Sequence, residues 1–245
     1  MSMRWLSMLC LITLIVAGAG GGFVDAQYRD VLGGTWNNPG SALITSQLLG
    51  RMHRKMAARR AAERGEKPAE AAVPVTPVAT TFRPVAGSLM VRPFAEAFAA
   101  DEETRGQLQV VFSQLLAAFD EQCRQEGERY DLARAAALFV AGNYSVARGE
   151  EVTDSQTDAL IRDMRDNLSV SDTFRQMDDT GRQRLYEALI IMGLFPPVGY
   201  QDGIEKNDPS QQTMFRELAR ENLKTLFGVA PEQIRITEAG MEIGE

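Results

Sequence analysis

The chain has 245 residues, 44% of them apolar and 24% charged, with a formal net charge of −7; this is the make-up of a soluble globular protein with room for one ordinary domain and an arm. One histidine and two cysteines argue against a His-based zinc site, a Ser–His–Asp triad and a haem-attachment motif, and no Gly-rich phosphate loop is present. The acid excess argues against a nucleic-acid-binding domain, which needs clustered Lys and Arg to neutralise phosphates.

Residues 1–26 read as a secretory signal peptide. Arg4 gives a positive start, residues 5–17 carry no charge, a glycine-rich segment follows, and Val24 and Ala26 stand where a signal peptidase reads. The apolar run is shorter than the roughly 20 residues of a membrane span. The expectation is export to the periplasm or beyond, with cleavage near Ala26 and no transmembrane helix afterwards; an uncleaved anchor is the alternative. Cleavage removes Cys10 and leaves Cys123 alone, so no intrachain disulfide is available. Cys123 falls on an apolar helix face and reads as a buried, inert thiol.

Residues 27–87 read as a disordered, low-complexity arm and linker. Within it residues 51–67 hold Arg51, Arg54, Lys55, Arg59, Arg60, Arg64 and Lys67 against Glu63 and Glu66. From Pro68 onward 17 Lys and Arg face 29 Asp and Glu, a net charge of −12. A short basic arm thus precedes an acidic body. Pro68, Pro74, Pro77 and Pro84 then mark an extended linker.

Residues 88–245 read as a helical domain: an all-α bundle of five or six helices with a short extended tail. Leu108, Val111, Phe112, Leu115, Phe119 and Cys123 recur at three and four residues, predicting a helix from about Glu103 to Gln125. Asp131 caps the next, whose face carries Leu132, Ala135, Ala136, Phe139 and Asn143. Thr153 and Gln156 form a capping box ahead of Leu160, Ile161, Met164 and Leu168. Ser171 opens a short helix, and Asp178 or Asp179 caps a central one that is apolar nearly all round. Pro196 and Pro197 are expected to end that helix near Leu194, with residues 201–208 as an inter-helix loop. Asp208 and Pro209 open the last helix and Gly228 closes it; Ile234 and Ile236 hint at an extended segment.

Carboxylates are the remaining chemistry. Glu187 is the catalytic candidate, because it interrupts the apolar central helix beside Tyr186, and a glutamate there must be paired or solvated. A glycan hydrolase could use such a raised-pKa acid; a salt bridge to a neighbouring arginine is the structural alternative. Asn143 is expected to hydrogen-bond a loop or helix end. No cofactor-binding or metal-ligating residues are expected, and residues 201–208 fail the calcium-loop pattern.

The punctuation of the domain carries a resemblance. Thr81, Phe82, Arg83 and Pro84 are followed by Phe139, Val140, Ala141, Gly142, Asn143 and Tyr144, then by Glu151, Val152, Thr153 and Asp154. Gln183, Arg184, Leu185, Tyr186 and Glu187 come next, with Gly193, Asn222, Leu223, Gly228, Ile236, Thr237 and Gly240. In order and spacing, over residues 81–241, these resemble a family of exported bacterial helical proteins defined only as a domain of unknown function. The resemblance implies an exported helical protein and no activity.

The functional expectation is a non-catalytic interaction or structural protein of the bacterial envelope, its arm meeting an anionic surface through Arg51, Arg54, Lys55, Arg59, Arg60 and Arg64. A cell-wall glycan hydrolase and a peptide-binding helical module are the alternatives.

Overall fold

The computed structural model describes residues 76–244. Seven α-helices run in chain order: α1 (Val91–Phe98), α2 (Glu102–Gln125), α3 (Leu132–Arg148), α4 (Asp154–Ser169), α5 (Asp172–Gln176), α6 (Asp179–Glu205) and α7 (Pro209–Phe227). A single turn of 3-10 helix, Pro231–Gln233, leads into the hairpin β1 (Ile234–Thr237) and β2 (Gly240–Ile243). The all-α expectation holds, with one helix more than the upper expectation. The additional one is α1, whose eight residues begin beside Pro93 and carry too short a pattern to read as a helix.

The helix starts follow their caps. Asp101, Asp131, Ser171, Asp178 and Asp208 each accept a backbone N–H of the first turn, and Thr153 and Gln156 make the capping box reciprocally. Gly149 and Gly228 close α3 and α7 in the left-handed conformation that glycine adopts without a Cβ penalty.

The centre is the crossing of α3 with α6. Around it α4 and α7 pack on α3, α7 and α2 pack on α6, and α1 lies on α2. The hairpin covers α4, with Ile234, Ile236, Met241 and Ile243 buried. Phe98, Phe112, Phe195 and Phe215 meet edge to face in a chain of rings joining α1, α2, α6 and α7.

The prolines do not end the central helix. α6 runs through Pro196 and Pro197 to Glu205, so the expected stop near Leu194 and most of the expected loop are helical instead. Proline lacks an N–H, which deprives the carbonyls of Met192 and Gly193 of their helical donors. Tertiary donors replace the one lost at Met192. Asn143 of α3 and Asn222 of α7 both donate through Nδ2 to the Met192 carbonyl, at 3.1 and 3.3 Å, and Asn222 also donates to Asn143 Oδ1 at 2.8 Å. The Gly193 carbonyl lies against Gly142, where an added Cβ would stand 2.2 Å from its oxygen. The reverse approach is as tight, since a Cβ on Gly193 would stand 2.8 Å from the Phe139 Cα. Two glycines therefore set how closely α3 and α6 cross.

Residues 76–90 lie along the helical body as a strap. Val78 N–H donates to the Ser169 carbonyl, Leu132 N–H to the Thr80 carbonyl and Phe82 N–H to the Tyr130 carbonyl. Phe82 is buried against Tyr130 and Tyr186. Arg182 pins the strap through the Thr81 carbonyl while covering the Phe174 ring, 4.2 Å from its centroid.

Candidate functional site

Glu187 lies in the first half of α6, under the strap, and is 5% exposed. Its Oε2 accepts from the Ser88 hydroxyl at 2.9 Å and from the Leu89 and Met90 N–H groups at 2.7 and 2.8 Å. Its Oε1 accepts from Gln183 Nε2 at 2.7 Å. Four donors occupy a carboxylate that has about four acceptor sites. Those amides precede α1, whose N-cap residue Met90 offers no side-chain acceptor, and Ser88 Oγ accepts from Val91 N–H, so Glu187 and Ser88 together cap α1, with the glutamate's charge at the positive end of that helix. Its partners are two backbone amides, a hydroxyl and a side-chain amide rather than the arginine that the sequence suggested. Gln183 completes the frame, accepting from Val85 N–H and donating to the Gly87 carbonyl.

Tyr186, Asn143 and Cys123 are buried as well. The Tyr186 hydroxyl donates to Asp120 Oδ1 at 2.7 Å. Burial raises the Asp120 carboxyl above the ordinary aspartate range, and Tyr186 opposes that by hydrogen bonding the charged form. Burial pushes the Cys123 thiol up to about 11, which removes its nucleophilic form at neutral pH. Asn143 serves the mid-helix carbonyl of Met192 instead of a loop or helix end.

A second polar constellation was not legible in the sequence. Asp131, the cap of α3, accepts from Thr80 Oγ1 of the strap at 2.6 Å and from Arg165 of α4 at 2.6 Å. Arg165 also reaches Glu128, and Glu128 pairs with Arg134, which in turn pairs with Glu126. Beyond Arg134 a groove opens between α2 and α4 with α3 as its floor. It contains a cavity of about 20 Å³, walled by Phe119, Gln122, Leu138, Thr157 and Ile161, with Glu126, Asp154 and Asp158 at its rim. Two buried atoms there have no hydrogen-bond partner: the acceptor Gln122 Oε1 and the donor Arg134 Nε. Composition could not find this groove, because its residues lie up to 42 positions apart and no two helices place them alone.

Among the described residues no three His, Cys, Asp or Glu side chains gather to hold a metal ion, and no helix is long and apolar enough to cross a membrane. The basic residues Arg51, Arg54, Lys55, Arg59, Arg60 and Arg64 lie outside the described residues. No curated protein and no solved structure matches the chain. A family model does match, and over a longer span than the 81–241 expected, taking in the basic stretch at residues 51–67 and most of the apolar N-terminal run. The chain belongs to that family, DUF6683, a family of unknown function whose model matches residues 8–244.

Proposed function

We propose that this is an exported, non-catalytic interaction or structural protein of the bacterial envelope, in which a rigid helical body is held to an anionic surface by the basic arm. The observation that carries the reading is the charge split: seven Lys and Arg within residues 51–67 precede a body of net charge −12. Basic residues next to an anionic bilayer contribute about 1 kcal/mol each. The occupancy of Glu187 supports the non-catalytic side of the reading, because its oxygens are engaged in joining α1 to α6. A glycan hydrolase would need that carboxyl turned to solvent. The leader at residues 1–26 supports the address.

Vesicles of phosphatidylglycerol and phosphatidylcholine test the arm. The full chain should co-sediment with them, and replacing the seven basic residues by glutamine should weaken binding at least about a hundredfold. Equal binding of the two proteins would remove the surface role. Export is tested by fractionating cells that express the chain: a protein found uncleaved in the cytoplasm would remove the address.

A further inference from the structure

We propose that the cavity between α2, α3 and α4 is a built site for one ordered water molecule, which bridges Arg134 Nε of α3 to Gln122 Oε1 of α2. The site stands apart from the basic arm and from the role proposed for it.

The demand for a bridge is local and of mixed kind. Arg134 Nε is a buried donor and Gln122 Oε1 a buried acceptor, and neither has a hydrogen-bond partner among the described residues. Buried polar atoms are costly to leave unpaired, so each calls for a partner. Neither gains one by turning. The guanidinium is fixed by Glu126 at Nη2 and by Glu128 at Nη1, the latter at 2.7 Å. Gln122 Nε2 donates to Glu126 Oε1 at 3.3 Å, so exchanging the two ends of the amide would set its oxygen against a carboxylate. The Cys123 thiol lies beside Arg134, but sulfur is a weak acceptor and leaves the demand for an oxygen.

The space matches the demand. Gln122 and Arg134 line the same cavity of about 20 Å³, and a water needs about 10–15 Å³. Phe119, Leu138 and Ile161 wall it with apolar surface, while Glu126, Asp154 and Asp158 at the rim offer an acceptor. A buried water makes about three hydrogen bonds. Here it accepts from Arg134 Nε–H, donates one hydrogen to Gln122 Oε1 and donates the other to a rim carboxylate.

Chemistry selects water over other small occupants. An anion would answer only Arg134 and would face the rim carboxylates. A cation would answer only Gln122 and would face the guanidinium. An apolar occupant would answer neither. Water accepts and donates at once and is small enough to enter. Beside the direct Glu126–Arg134 pair, it gives the end of α2 and the start of α3 a second polar link.

The full chain, isotope-labelled for NMR, tests the site. Arg134 Nε–H, assigned by its loss in Arg134→Lys, should show cross-peaks to water of opposite sign in laboratory-frame and rotating-frame Overhauser spectra, the mark of a water held inside a protein. Gln122→Leu, which removes the acceptor and intrudes on the space, should abolish them. Thr157→Val should retain them, because the signal comes from water and not from a neighbouring hydroxyl proton. In a high-resolution crystal structure one water oxygen should stand about 3 Å from both atoms. A folded protein whose Arg134 Nε–H shows no such cross-peak overturns the site, as does a cross-peak that survives Gln122→Leu or vanishes in Thr157→Val. Density joining Gln122 Oε1 to a donor of the protein itself would overturn it too. So would xenon entering the cavity under pressure, seen as shifts of the Leu138 and Ile161 methyl resonances, because a cavity that takes xenon is dry.

Discussion

Two places in this molecule solve the same problem with opposite chemistry. At the α3–α6 crossing, Pro196 leaves the Met192 carbonyl without its helical donor, and two neutral asparagine amides supply one in a fully buried setting. Beneath the strap, the turn before α1 leaves amides without acceptors, and one buried glutamate supplies them. An ionised group is costly to bury unless fully hydrogen-bonded, so a carboxylate suits the site that can surround it with four donors. In the apolar centre a neutral amide gives the needed donors with no charge to compensate. The location of a polar group therefore decided its type.

The two places can be ranked by substitution. Gly142→Ala should have the largest effect, about 4 kcal/mol by overpacking, since the new Cβ meets backbone that no rotamer can clear. Thermal or urea unfolding measures it, and a loss under about 1 kcal/mol would mean that α3 and α6 can separate easily. Asn143→Leu should cost about 3 kcal/mol, because it strips a donor from the Met192 carbonyl and an acceptor from Asn222. Glu187→Gln should cost about 2 kcal/mol and act locally, since its amide group faces donors with one acceptor oxygen instead of two. Hydrogen exchange should then quicken in α1 and the strap while the α3–α6 crossing keeps its protection. A Glu187→Gln loss exceeding that of Asn143→Leu would reverse the ranking.

The smallest effect is expected at Asp120, and its sign is opposite. A carboxyl raised in the folded state opposes folding when ionised; that cost is present above its folded pKa and fades as pH falls toward the unfolded value. An asparagine at this position would keep an acceptor for Tyr186 without the charge. Asp120→Asn should therefore melt at or slightly above the wild-type temperature at pH 7, with the difference closing under acid. A lower melting temperature at pH 7 would show that the Tyr186 bond needs the charged oxygen.

Much of the fold was legible because it rests on local signals. The caps at Asp131, Thr153, Ser171, Asp178 and Asp208 act within one helical turn, and so do the apolar repeats behind them. What failed was non-local. Pro196 and Pro197 are a local stop signal that distant donors overrode, and α1 is too short to form without Glu187 and the ring chain holding it. β2 escaped notice because Gly240, at φ +116°, turns a four-residue strand back on β1, and Met241 N–H is held by Asp163 from another element. Glu187 stood out correctly as an anomaly in an apolar helix, yet its partner was a strap 97 to 99 residues earlier in the chain. The residues that carry the family resemblance include Gly142, Asn143, Gln183, Glu187, Gly193 and Asn222, which join backbone segments across the fold.

By itself the sequence determined the helical class, the helix starts and the division into a basic arm and an acidic body, because periodicity, capping and charge are written in neighbouring residues. Only the tertiary structure decided that α6 passes its prolines, that Glu187 caps α1, and that Gln122, Arg134, Asp154 and Asp158 share one groove. Each of these depends on a hydrogen bond or an approach between residues far apart in the chain, and no local pattern specifies which distant group will arrive.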